Sequence, residues 1–134
     1  MNNIIKICAL LLAVTFSQCT AQVQQKKGLV GTTWEYAFDE DIKDYIKFFG
    51  NNKYESYSGE GMMTSIGVYF IESDTLNLVS ILEVDNDHRF KARHTKAIVN
   101  GDKLKYVSFE RINNSKWQVS DYIPPEFYFF SRVK

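Results

Sequence analysis

The chain has 134 residues, with 16 basic and 16 acidic side chains and a formal net charge of zero, so a dedicated nucleic-acid or membrane-surface binder is not indicated. Ten Phe and eight Tyr against only two Pro and seven Gly point to an all-β domain, because aromatic side chains fit a pleated, half-buried surface. The length suits one core and one domain.

Residues 1–21 read as a secretory signal: Lys6 gives the positive start, Ile7 to Phe16 an apolar run, and Cys19-Thr20-Ala21 a small-residue cleavage site. That run is too short to span the ~30 Å apolar core of a bilayer, and no later stretch has the length of a membrane helix. The expected product is exported, periplasmic or extracellular, with residues 22–134 as its single domain. Both cysteines, Cys8 and Cys19, fall inside the signal, so a cut after Ala21 leaves a disulfide-free domain held by its core or by closure of its sheet. The rival is lipoprotein processing at Cys19, which would acylate that residue and make Thr20 to Lys27 a tether.

Gln22 to Lys27 is a polar leader, after which Leu29 and Val30 enter the first strand. In Gly31-Thr32-Thr33-Trp34-Glu35-Tyr36-Ala37-Phe38 the residues Trp34, Tyr36 and Phe38 share one face, the period-two signature of a half-buried strand. Asp39 to Asp44 carries four acids in six residues, but it has no glycine at a turn and no distal glutamate, so it reads as a solvated loop rather than a calcium site. Tyr45–Phe49 and Lys53–Ser58 follow as strands joined by Gly50-Asn51-Asn52, residues that tolerate positive φ. Gly59 to Ser65 is a looser loop with Met62 and Met63 at its tip. Ile66–Glu72 and Thr75–Val84 are joined by the tight Ser73-Asp74 turn. His88–Val99 is long: Phe90 and Ala92 sit at even positions, with Arg89, Lys91 and Arg93 opposite, yet Ala97 and Val99 are odd. A bulge is therefore expected near His94 to Lys96. Asn100-Gly101-Asp102 is the strongest hairpin signal and opens Lys103–Arg111. Ile112 to Pro125 is the longest connection, and Phe127–Val133 is the eighth strand.

Eight antiparallel strands with local connections close into an up-and-down barrel or stack as a sandwich, and closure removes exposed edges. The second, fourth and sixth connections are tight and the first, third and seventh longer, so one rim is pinched and the other open. Charge is unevenly spread: residues 35–87 hold twelve acids and three bases, residues 88–134 four acids and ten bases. One reading is a basic outer face with Arg89, Lys91, Arg93, Lys96, Lys103 and Lys105. The other is pairing between acidic early strands and basic late strands where the barrel closes.

Gly31-Thr32-Thr33-Trp34 at the first strand, Arg132 on the last, and the loop alternation resemble the lipocalins, and more closely the short bacterial lipocalin-like domains. In that family a G-x-W opens the first strand; here one more residue separates glycine from tryptophan, and no terminal helix follows. The resemblance covers residues 28–134. It implies an eight-stranded antiparallel barrel in which Trp34 plugs the closed end, with Arg132 packed across it.

On such a barrel Ser56, Ser58, Gly67, Ser80, Ala92 and Ser108 face inward in the open half, while Trp34, Leu76, Leu104, Val99 and Val133 fill the closed half. Small residues near the mouth leave room for a ligand, and Met62, Met63, Trp117 and Tyr122 would form its lip. The alternative is an interior filled by the many Phe and Tyr side chains. The candidate ligand-binding residues are Met62, Met63, Ser56, Ser80, Ala92, His94, Ser108, Trp117 and Tyr122. No cofactor is indicated, and no nucleophile, zinc-helix or phosphate-loop motif is present, so a non-enzymatic role is expected. His88 and His94, even with Asp85 or Asp87, make a weak zinc set. The expected partner is a small apolar or amphipathic molecule, its orientation fixed by Ser and Tyr hydroxyls. The second hypothesis is a protein-interaction module, an inhibitor or envelope accessory protein whose unidentified protein partner is gripped by the same rim.

Overall fold

A computed structural model describes residues 28–59, 61–84, 90–113 and 115–133. The expected signal and leader at 1–27 lie outside the described residues, as do Asp85, Asp87, His88 and Arg89. Nine strands are formed: β1 Thr33–Ala37, β2 Lys43–Phe48, β3 Lys53–Tyr57, β4 Met63–Glu72, β5 Thr75–Val84, β6 Phe90–Asn100, β7 Lys103–Asn113, β8 Lys116–Val119 and β9 Phe129–Arg132. Each of β1 to β7 pairs antiparallel with the next, β7 pairs with β9, and β9 returns to β1. Eight strands thus close an all-β, up-and-down antiparallel barrel. The ninth, β8, hairpins back onto the far half of β7, whose near half holds β9. The segment expected as an irregular connection therefore contains a strand. All four β8 residues are exposed, so no alternation of burial marked them.

The closed end is built first from turn chemistry. Asn51 and Asn52 take φ of 59° and 60°, Ser73 54° and Gly101 60°, and each lies in a tight connection at that end. Leu29 does not extend β1 as expected; residues 28–30 make a helical turn, and Gly31 at φ 76° reverses the chain into the strand. The backbone of Gly31 donates to the carbonyl of Phe48, and Phe48 donates in turn to Thr32, fixing the turn under β2. Leu29 is thereby driven into the barrel floor at 2% exposure.

Trp34 is 1% exposed. Its Nε1 donates to Thr32 Oγ1 at 2.8 Å, and that hydroxyl donates to the Leu29 carbonyl at 2.6 Å, so the one polar atom of the indole is satisfied inside the core. Around it pack Phe48, Tyr54, Tyr69, Leu76, Leu78, Leu104 and Phe130. Arg132 stands opposite Trp34 in the β1–β9 register but is exposed, and among the described residues no cation–π contact joins the two. Arg132 and Trp34 nevertheless line one hollow at this end, together with Gly28, Leu29, Val99 and Gly101. Among the described residues no helix is long and apolar enough to cross a membrane.

Candidate functional site: the open end of the barrel

Above the filled floor the interior is not filled. A cavity of about 300 Å³ opens toward the rim formed by the β1–β2 and β3–β4 loops and the segment before β9. It lies at the small end of the range for ligand pockets. Its walls carry Asp44 and Ile46 from β2, Ser56 and Tyr57 from β3, Thr64 from β4, Arg93 and Thr95 from β6, and Tyr106 and Phe109 from β7. Tyr122, Tyr128 and Phe130 complete it from the C-terminal part of the chain.

Three bulges decide which side chains reach this space. Between β3 and β4 the partner of Ser56 is Ser65 and that of Tyr57 is Met63, so the extra residue is Thr64 on β4. Between β5 and β6 the partner of Ile81 is Ala92 and that of Glu83 is Lys91, so the extra residue, Leu82, is on β5. Between β6 and β7 the partner of Lys96 is Ser108 and that of Ala97 is Tyr106, so the extra residue is Val107 on β7. The register shift falls where a bulge was expected, but β6 itself alternates without interruption. Arg93, Thr95, Ala97 and Val99 therefore share the inner face, and Ala92, His94 and Lys96 the outer one. The reading of Ala92 as inward and Arg93 as outward is reversed. Beyond its bulge β7 turns Phe109 inward and leaves Ser108 outside.

Of the residues singled out from the sequence, Ser56 and Tyr122 line the cavity. Ser80 faces inward beside Arg93 in the register and is 1% exposed. Met62 and Met63 are exposed at the rim without lining the interior, at 60% and 51%. By register Ala92, His94 and Ser108 take the outer face of the ring, where Ala92 is nonetheless buried, and Trp117 is on β8 outside it. Sequence reasoning placed Tyr106 inward but missed Arg93, Asp44 and Tyr128; the bulge beside β6 hid the first, and the loop reading of residues 39–44 hid the second. Asp39 holds that loop instead, its Oδ1 accepting from the backbone N–H groups of Asp41 and Ile42 at 2.9 and 2.8 Å.

The interior is both aromatic and polar. Tyr106 packs edge-on to Phe109 with ring centroids 5.5 Å apart, Phe109 stands 5.8 Å from Tyr122, and Tyr128 crosses Tyr36 at 4.3 Å. Burial pushes the Tyr106 phenol far above its ordinary range, with the neighbouring Tyr128 and Tyr54 adding to it. Burial also raises Tyr128, followed by the Asp44 carboxylate, to which its hydroxyl donates at 3.4 Å. Both phenols are neutral donors at ordinary pH. The hydroxyl of Ser56 hydrogen-bonds those of Thr64 and Ser65 at 2.8 and 2.6 Å. Ser80 Oγ and Arg93 Nε are buried without a hydrogen-bond partner among the described residues.

A separate cluster sits on the outer wall. His94 Nδ1 lies 2.9 Å from Glu110 Oε2, and its Nε2 lies 2.8 Å from Asn77 Oδ1. Lys96 Nζ donates to Glu110 Oε1 at 3.1 Å. That bond holds the Glu110 carboxyl below its ordinary value, against the opposing effect of burial and with help from His94. Phe70 stacks on the imidazole, and Trp117 meets it edge-on at 5.9 Å. Among the described residues the lysine–glutamate pairs Lys43–Glu35 and Lys96–Glu110 each join residues from the same half of the chain. Among the described residues, pairing of acidic early strands with basic late ones across the closure is not observed. Comparison with family models, with curated proteins and with solved structures finds no match to this chain.

Proposed function

We propose that this is an exported, lipocalin-like binding protein that holds a small amphipathic molecule inside the open end of its barrel, without catalysis. The observation that carries the reading is the space itself: a cavity of about 300 Å³ stands over a floor packed around Trp34. Eight-stranded barrels can be packed solid, and this one has the aromatic side chains to do so. Instead Phe48, Tyr54 and Tyr69 crowd the floor, while serines, threonines and tyrosine hydroxyls border the space above. Such walls suit a ligand with one apolar face and several hydrogen-bonding groups better than a bare hydrocarbon. Binding would bury the apolar face against Phe109 and Tyr122, with the neutral hydroxyls fixing orientation.

A second reading has its own support. Phe38, Ile123 and Phe127 are 59%, 80% and 70% exposed near the open rim, an apolar fringe that suits docking to another protein. The test is thermal unfolding with a panel of small apolar and amphipathic molecules, on the wild type and on Thr64→Trp, which blocks the mouth. A true ligand raises stability saturably, by about 2.7 kcal/mol at a hundred times its Kd, and the variant loses that rise. A panel that leaves the wild type unmoved, with a pulled-down protein lost on Phe127→Ala, replaces the first reading with the second.

A further inference from the structure

The cavity carries a charge on each of two opposing walls. The closed ring runs β1-β2-β3-β4-β5-β6-β7-β9, so β2 and β6 are four staves apart in either direction and face each other across the barrel. Asp44 projects from β2 and Arg93 from β6, both into the same space. Among the described residues no ion pair joins them. Asp44 receives a long 3.4 Å hydrogen bond from Tyr128, and Arg93 Nε has no hydrogen-bond partner among the described residues. Charged groups turned into a partly aromatic interior are costly unless something complements each of them. Tyr106 and Phe109 on the neighbouring β7, with Tyr122, form an aromatic shelf along the same space.

Resting on the reading that this cavity holds a small molecule, we propose that the occupant is an aromatic acid bearing a second, hydrogen-bond-donating group at its far end. The carboxylate meets the Arg93 guanidinium on β6. The ring lies on the shelf. The far hydroxyl or ammonium donates to Asp44 on the opposite wall, alongside the Tyr128 hydroxyl. The size agrees: about 300 Å³ corresponds to roughly ten water volumes at ~30 Å³ each, room for one substituted ring but not for a long acyl chain.

The probes are 4-hydroxyphenylacetate, its methyl ester, which removes the anion, and 4-methoxyphenylacetate, which removes the donor. Titration calorimetry on the wild-type protein should find the first bound at least about tenfold more tightly than either of the others, the size expected for losing one charge-assisted hydrogen bond. Arg93→Gln should erase the preference for acid over ester, and Asp44→Ala the preference for hydroxyl over methoxy. Arg93→Lys should retain part of the first preference. The comparison among probes on the wild type needs no variant, so a variant that fails to fold does not remove the test. If the ester binds as well as the acid, the proposal is overturned while the cavity reading stands. The proposal alone also falls if none of the three binds but a neutral hydrophobe does. If nothing binds at all, both fall.

Discussion

Trp34 and Trp117 have the same side chain and opposite fates. Trp34 is buried with its N–H satisfied by Thr32, whereas Trp117 is 46% exposed on β8 against His94. Burying an indole removes ~200 Å² from water, on the order of 5 kcal/mol at ~25 cal/mol per Å². Trp34→Ala should therefore cost about 3–5 kcal/mol in urea unfolding and Trp117→Ala less than about 1 kcal/mol. Equal losses would mean that Trp34 is not the plug. Glu110 makes a pH-dependent contribution. Its carboxyl is held below its ordinary value of 4.5, so its stabilisation is present above that pH and is lost as the pH falls through the depressed value. Glu110→Gln should lower stability at neutral pH and leave a shallower acid limb, read from unfolding midpoints between neutral pH and about pH 3. An acid limb of unchanged steepness would show that the Lys96 and His94 contacts do not bind the carboxylate selectively.

At the scale of elements, the strands are unequally secured. β5 and β6 face each other over eight register pairs, whereas β1 and β9 share two, Trp34 with Arg132 and Glu35 with Ser131, supplemented by the bond from Val133 N to Thr33 O at 2.8 Å. Amide exchange should be slowest in β5 and β6 and clearly faster at the β1–β9 seam, as for local opening that costs less than global unfolding. Uniform protection around the ring would contradict this. The strands with a buried face were legible in the sequence, because alternation and the Asn-Asn and Asn-Gly turns specify them. β8 was not, since a wholly exposed strand carries no alternation. The bulges were only half legible. A parity conflict in β6 signalled that register must change, but periodicity within one strand cannot tell which of two partners holds the extra residue. That single ambiguity is what exchanges the expected sides of Arg93 and Ala92, and it places His94 and Ser108 outside.

For the whole molecule, the closed barrel with a sealed floor and an open mouth followed from loop lengths and residue sizes. Of the small residues expected near the mouth, Ser56 lines the cavity and Ser80 faces inward, but Ala92 and Ser108 do not, so loop lengths and residue sizes outlined that space only in part. What they did not convey was its polarity. Residues from strands distant in sequence, Asp44 and Arg93, become neighbours of one cavity only through ring closure, which no local pattern encodes. Ligand measurements on the intact protein are thus the appropriate probe of that level.

The lightly held seam also governs assembly. Trp34 meets its partner on β9 roughly a hundred positions later, a pairing that closes a far longer loop than any hairpin, so the seam is expected to close late. Until it does, β1 and β7 both present bare edges, and the missing stave can come from a neighbour as readily as from the same chain. Crowded refolding would then trade C-terminal strands between molecules, giving entwined pairs whose individual barrels are indistinguishable from the monomer's.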